Sequence, residues 1–454
     1  MKLESPWQPR LAEGAGTASV RLVRAVSEDI AAGHLPAGAR LPAHRDLAWR
    51  LGIAVGTVTR AYSELERCGL VGAVRGQGTF VAGGPGPAAQ VVDLSMNVPP
   101  VAVGDGLLRA SLRDIARGAD ATGFCSYLPA IGTAVRRGLL AGYLSEQGTG
   151  TPLDPARLMI CNGAQHALAV ALALACPRGT MLVTECVTYP GVLALARQSG
   201  IPVRGVDVDA EGMEPGSLDR LLASRAAPAA VYITPDLHNP TGRTMGEARR
   251  REIVRICASR KALIVEDAVY SGLCVAAGTR LESLAPDRVL HVGGLSKTVS
   301  PGLRIGALLV PQAMWETAVA AFQAGCTTSA PLNCMVMERW IVDGTARAVR
   351  DHLRIEARER CRLAAERLGI AMPAVPAFHV WLETPETAAR ALEAAAAREG
   401  VILTPPESMR ADPMSTVCGV RLCLGGPDRP GLEDALSRLA RLLPREPIPV
   451  PMVI

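Results

Sequence analysis

Five short apolar runs, Leu158–Ile160, Thr180–Val183, Ala229–Ile233, Ala262–Val265 and Val289–Val292, recur along the middle of the chain with helical stretches between them. A chain that alternates strand and helix in this way builds a mainly parallel sheet covered on both faces. Aromatic residues make up only 3% of the chain, so Leu, Val and Ala must fill the core. In such folds the polar groups that do chemistry gather beyond the carboxyl ends of the strands.

Polar groups follow each run in turn. Asn162-Gly163-Ala164-Gln165 opens an apolar helix, where backbone N–H groups make an anion site. Tyr189-Pro190-Gly191 places an aromatic ring that can stack on a flat ligand. Asn239-Pro240-Thr241-Gly242 offers an amide, and Glu266-Asp267-Ala268-Val269-Tyr270 offers carboxylates at a strand end. Taken singly, each of these also fits an ordinary turn. Gly293-Gly294-Leu295-Ser296-Lys297, followed by Ser300-Pro301-Gly302-Leu303-Arg304, is more specific, because the chain has only three lysines: Lys2, Lys261 and Lys297. A lysine amine condenses with aldehyde cofactors, and an arginine binds phosphate bidentately. Val420-Arg421-Leu422-Cys423-Leu424 is an apolar strand with one Arg, either on a polar face or clasping an anion.

The first eighty residues have a different grain. Leu22, Val23, Val26 and Ile30 predict a helix that Gly33 stops. A second helix is expected over about Ala43–Leu51, broken by Gly52. A third is expected over about Gly56–Arg67, with Val58, Ala61 and Leu65 on one face. Two β-like runs, Leu70–Val74 and Gly78–Val81, flank a hairpin turn at Arg75-Gly76-Gln77-Gly78. Helix, helix, glycine turn, helix, hairpin is a winged helix-turn-helix, whose third helix enters the major groove. The candidate DNA contacts are Arg45, Thr57, Thr59 and Arg60, with Gly76, Gln77 and Gly78 in the wing. Residues 1–82 carry ten basic and seven acidic side chains, a higher positive density than the rest of a chain whose formal charge is +5.

Five of the eight residues of Gly83–Gln90 are Gly or Pro, and the segment reads as a connector within a linker over 83–92. The domains are then a head over 1–82 and a body over 93–454, with a large subdomain at about 140–320 and a small one at about 330–454. The 12 cysteines show no metal spacing, so thiols are expected and no metal site is. No signal peptide or membrane-length apolar run is seen, which predicts a cytoplasmic bacterial protein.

The head motifs, from Gly33-His34-Leu35-Pro36 through Gly76-Gln77-Gly78-Thr79-Phe80-Val81, closely resemble the DNA-binding domain of the GntR family. That family usually has Ser-Arg or Thr-Arg where Ala54 and Val55 stand. The order and spacing of the body motifs resemble fold-type-I aminotransferases over roughly residues 95–445. Together the halves resemble the MocR/GabR group of bacterial regulators.

The resemblance implies pyridoxal 5'-phosphate in the body. Lys297 forms the internal aldimine, Asp267 pairs with the pyridine nitrogen, and Tyr189 stacks on the ring. Asn239 and Tyr270 contact the ring hydroxyl, while Gly163, Ala164, Gln165, Ser296 and Arg304 hold the phosphate. Arg421 binds an effector carboxylate, and Tyr127 reaches the phosphate across a homodimer interface. A hydroxyl residue often occupies the position of Gly294. The expected function is a regulator that binds a double-stranded DNA operator and senses an amino-acid-like effector through an external aldimine. A sensor is expected rather than a turnover enzyme. The alternatives are an active aminotransferase carrying a DNA-binding head, and a sensor of the cofactor itself.

Overall fold

The computed structural model describes residues 7, 10–13, 16–36, 38–67, 70–74, 78–81, 91–118, 127–224, 228–412 and 415–443. The chain divides into two compact units, Met1–Val91 and Val92–Ile454. The predicted connector Gly83–Gln90 lies outside the described residues.

The first unit is the expected winged helix. Helix α1 (Ala18–Ala31) starts at Thr17, whose side chain accepts from the Val20 nitrogen. Helix α2 (His44–Leu51) ends at Gly52, in the left-handed conformation at φ +64°. Helix α3 (Val55–Arg67) follows, and strands β1 (Val71–Val74) and β2 (Gly78–Val81) pair antiparallel with Val71 opposite Val81. Leu22, Val26, Leu47, Val58, Ala61 and Leu65 close its core. The predicted apolar face of the third helix is therefore the buried one.

The second unit holds a seven-stranded sheet. Its strands are β4 (Leu158–Asn162), β5 (Met181–Glu185), β6 (Val203–Val206), β9 (Ala229–Ile233), β10 (Leu263–Asp267), β11 (Val289–Gly294) and β12 (Ile305–Leu309). A small hairpin, β7 (Val208–Asp209) with β8 (Gly212–Met213), lies outside it. The spatial order is β4-β12-β11-β10-β9-β5-β6, and only β12 runs against its neighbours. The ten residues between β11 and β12 hold no long helix to carry the chain back across a face, so the strand returns antiparallel. The central strands are buried on both faces, as their unbroken apolar runs require.

A second core in the same unit packs the carboxyl-terminal elements. There β13 (His379–Glu383) pairs antiparallel with β15 (Gly419–Cys423), and β14 (Val401–Ile402) pairs parallel with β3 (Val92–Asp93). Among the described residues no helix is long and apolar enough to cross a membrane.

Candidate functional site

The carboxyl ends of β4, β5, β9, β10 and β11 converge on one pocket. Its lining includes Ala164, Gln165, Tyr189, Asn239, Asp267, Tyr270, Ser296, Lys297 and Arg304. Nine of the residues expected at the cofactor are thus brought together from segments up to 140 positions apart.

One wall is an anion cradle. Gly163, at φ +82°, caps the helix Ala164–Ala175 without any side-chain partner, and no acid stands in the first turn. The first N–H groups of that helix are left for an external acceptor. Gly163 permits a close approach: a Cβ there would lie 2.8 Å from Arg304 Cζ. Gly306 does the same from beneath, because its Cβ would sit 2.6 Å from the Ala164 nitrogen. The Gln165 side chain serves the ring wall instead. Its Oε1 accepts from the Tyr189 hydroxyl (3.1 Å), and its Nε2 donates to the Gly191 carbonyl (3.1 Å).

Asp267 ends β10 and is buried. It accepts from the Tyr232 hydroxyl (2.7 Å) and the Val269 nitrogen (3.3 Å). Burial pushes its carboxyl above the usual range, against these hydrogen bonds. Its neighbour Glu266 points to the other side, accepting from His291 Nδ1 (2.8 Å) and the backbone of Leu281 (2.8 Å). Strand alternation therefore assigns one carboxylate to the pocket and the other to the scaffold.

Lys297 sits on the turn after β11, with Nζ donating to the Asn97 carbonyl and lying 5.8 Å from the Tyr270 ring centre. Burial lowers its amine to about 8, so a substantial neutral fraction is present near neutrality. Asn239 Nδ2 donates to the Tyr270 oxygen (3.3 Å), while its Oδ1 accepts from Arg421 Nη1 (2.7 Å).

Arg421, in the middle of β15, is 5% exposed. Nη2 donates to the Ser95 carbonyl (2.8 Å) and to Thr404 Oγ1 (2.9 Å), and Nε has no hydrogen-bond partner among the described residues. No carboxylate among those residues stands within ion-pair distance of it. Behind Asp267, Glu185 is fully buried with both carboxyl oxygens unpartnered among the described residues. His238 Nε2 lies 3.7 Å away, and burial drives the Glu185 carboxyl up to about 8.

Tyr127 is not brought to this pocket within one chain; it stands 85% exposed. In the first unit Arg45, Thr59 and Arg60 are exposed and Thr57 half-buried, on or beside α3, and Thr59 Oγ1 donates to the Val55 carbonyl (3.1 Å). Gly78 begins β2, while Gly76 and Gln77 lie outside the described residues.

Several residues of the site carried no sequence signal. Ser95 and Asn97 stand in an irregular stretch, Tyr232 is one polar ring in an apolar strand, and His379 and Thr404 come from the carboxyl-terminal core. Only Tyr232 offers a hint, as the sole hydroxyl within β9.

The pocket fits pyridoxal phosphate on its own chemistry. It has a buried lysine amine for an aldehyde and a buried carboxylate for a ring nitrogen. It also has an unmet helix terminus beside Arg304 for a phosphate.

Known proteins agree. Residues 89–439 match the family of class I and II aminotransferases, and residues 18–81 match the bacterial regulatory proteins of the gntR family. The HTH-type transcriptional regulator TauR of Rhodobacter capsulatus is 30% identical over 353 residues, covering 68% of this chain and 71% of that protein. The HTH-type transcriptional regulator YdeF of Bacillus subtilis is 28% identical over 345 residues, covering 74% of each. The crystal structure of an archaeal alanine:glyoxylate aminotransferase superposes with a TM-score of 0.70 at 21% identity, over 85% of this chain and 94% of that one. LysN, an alpha-aminoadipate aminotransferase of Thermus thermophilus, gives 0.68 at 23% identity, over 78% and 92%. These two establish the fold-type-I architecture. Pyridoxal phosphate is the cofactor of this family, and the gntR-type head is a DNA-binding domain. The chain belongs to the GntR-family transcription regulators of the MocR type, which join a winged-helix head to a class I and II aminotransferase body.

Proposed function

We propose that the body senses an amino-acid-like effector and that the sensing alters operator binding by the head. One observation carries this reading: Arg421 is a buried guanidinium beside the cofactor pocket with no carboxylate partner among the described residues. A buried charge left without a counter-ion is costly, so a ligand that brings a carboxylate gains the most there.

Pyridoxal phosphate, when bound, would supply an aldehyde, and Lys297 would present the amine that meets it. Around it the chain's own groups hold position. Asp267 keeps a proton at the ring nitrogen, and Tyr189 covers the ring face with its hydroxyl tied to Gln165. Asn239 and Tyr270 present donors to the ring oxygen. The backbone of Gly163, Ala164 and Gln165, with Ser296 and Arg304, receives the phosphate. Tyr127, exposed in one chain, reaches the phosphate of a partner in a homodimer. Arg45, Thr57, Thr59 and Arg60, with the Gly76-Gln77-Gly78 wing, face the DNA duplex, and a dimer presents two such faces to two half-sites.

Effector contacts favour one conformation of the body and so shift the affinity of the head for DNA. Lys297→Ala tests this. The visible band of the cofactor-loaded protein and the effector response in gel shift should vanish, while DNA binding without effector persists. A normal effector response in that variant refutes the mechanism.

A further inference from the structure

Asn97 touches two of the groups that govern the cofactor. Its carbonyl accepts from Lys297 Nζ, and its Nδ2 lies 3.0 Å from the Tyr270 oxygen and 2.9 Å from His379 Nδ1. Sequence reading gave this residue no role.

The tautomer of His379 fixes which way the amide points. His379 Nε2 lies 3.3 Å from the His238 carbonyl oxygen, which can only accept, so Nε2 carries the hydrogen. Burial, helped by the charge of Arg421, holds the imidazole neutral and lowers it to about 3. Nδ1 is therefore a lone pair, and it takes a hydrogen from the Asn97 amide nitrogen. That nitrogen has two hydrogens, and the second goes to the Tyr270 oxygen. Asn239 Nδ2 donates to the same oxygen, since its own Oδ1 is taken by Arg421. The Tyr270 oxygen thus receives two N–H donors, and its hydroxyl hydrogen has to find an acceptor elsewhere.

We propose that Asn97, oriented by His379, is a positioning residue that turns the Tyr270 hydroxyl hydrogen onto the ring oxygen of bound pyridoxal phosphate. The inference rests on the roles given above to Lys297 and Tyr270. Two donors on a phenol oxygen polarise its O–H bond and strengthen its own donation. A stronger donor at the ring oxygen stabilises negative charge there. The proton shared between that oxygen and the Lys297 nitrogen then leaves at lower pH. The other charged or titratable neighbours, Asp267, Arg304, Arg421, Cys423 and Tyr189, are unchanged by substitution at 97 or 379.

The test is a pH titration of the visible absorption of the full-length, cofactor-loaded protein. Asn97→Ala should move the midpoint upward by about 0.5–1 pH unit, the worth of one ordinary hydrogen bond. His379→Ala frees the amide to turn and should move it the same way. The double variant should add little beyond either alone, because the two residues act in series. The melting temperature of the cofactor-free protein should change less for Asn97→Ala than the midpoint shift implies, which separates positioning from folding. Asn97→Leu, which keeps the bulk and loses the donor without adding a charge, substitutes for the alanine variant if that one does not fold. Midpoints equal to wild type, or fully additive shifts, overturn the inference while leaving the pocket assignment intact. A protein that takes up no cofactor overturns both.

Discussion

Gly306→Ala tests whether the cradle geometry, rather than the charge of Arg304 alone, holds the cofactor phosphate. Gly306 lies in β12 opposite Gly294 and Cys161, directly under the turn that starts the helix Ala164–Ala175. A Cβ at 306 would lie 2.6 Å from the Ala164 nitrogen and from the Gly163 oxygen, and closer still to the Gly163 carbonyl carbon. All three are backbone atoms, so no side chain can swing aside. Restoring ordinary contact at 3.4 Å with the nearest of these atoms, 2.3 Å away, displaces the turn by roughly 1.1 Å, in a core that deforms by strain rather than by flow. Overpacking of this kind costs about 1–3 kcal/mol of stability. The same displacement misdirects the first N–H groups of the helix. Loss of one charge-assisted hydrogen bond, about 1.5–3 kcal/mol, weakens cofactor binding by about 10- to 150-fold. Equilibrium dialysis or absorption titration of pyridoxal phosphate into the cofactor-free protein measures this, alongside the melting temperature. Gly302→Ala is the control, because a Cβ there meets only Ser300 Oγ at 3.6 Å. Wild-type affinity in Gly306→Ala, or an equal loss in Gly302→Ala, refutes the steric argument.

Three further outcomes follow from the same geometry. Arg421→Gln should weaken a carboxylate-bearing effector by about 10- to 100-fold in a spectral titration while cofactor binding stays within a few-fold; an unchanged effector affinity would favour a sensor of the cofactor alone. The rate of cofactor uptake by the cofactor-free protein should rise with pH and level off above about 8, where burial has placed the Lys297 amine, whereas a rate still climbing at pH 10 would mean an ordinary exposed lysine. Glu185 has its folded carboxyl raised to about 8 against 4.5 in the unfolded chain, so its contribution to stability is complete below about 4.5 and is lost as pH climbs through 8, with a slope of up to about 1.4 kcal/mol per pH unit. Glu185→Gln should therefore raise the melting temperature at pH 8 more than at pH 5, and a gain of the same size at both would remove the buried-acid argument.

Much of this molecule is legible along its sequence because local patterns decide it. The apolar periodicity of Val58, Ala61 and Leu65 marks the buried face of a helix, and Gly52 and Gly163 mark positions where positive φ is needed. The five apolar runs are strands because they are too short and too evenly apolar for anything but a sheet buried on both sides. Lys297 stands out because lysine is rare in this chain. These are properties of residues and their immediate neighbours, and a one-dimensional pattern records them.

What the fold alone decided are relations between distant segments. Two adjacent acids, Glu266 and Asp267, look alike in the chain; the direction of β10 turned one toward the pocket and the other toward His291 and Leu281. Arg421 could have been a surface residue until the pairing of β15 with β13, and the packing of Ser95 and Thr404 against it, buried its guanidinium beside Asn239. Asn97 and His379, 282 positions apart, meet through one amide whose other hydrogen goes to the Tyr270 oxygen, a link that spacing alone does not reveal. Hydrogen bonding and desolvation act through space within a few ångströms, and only the folded chain fixes which side chains share that distance.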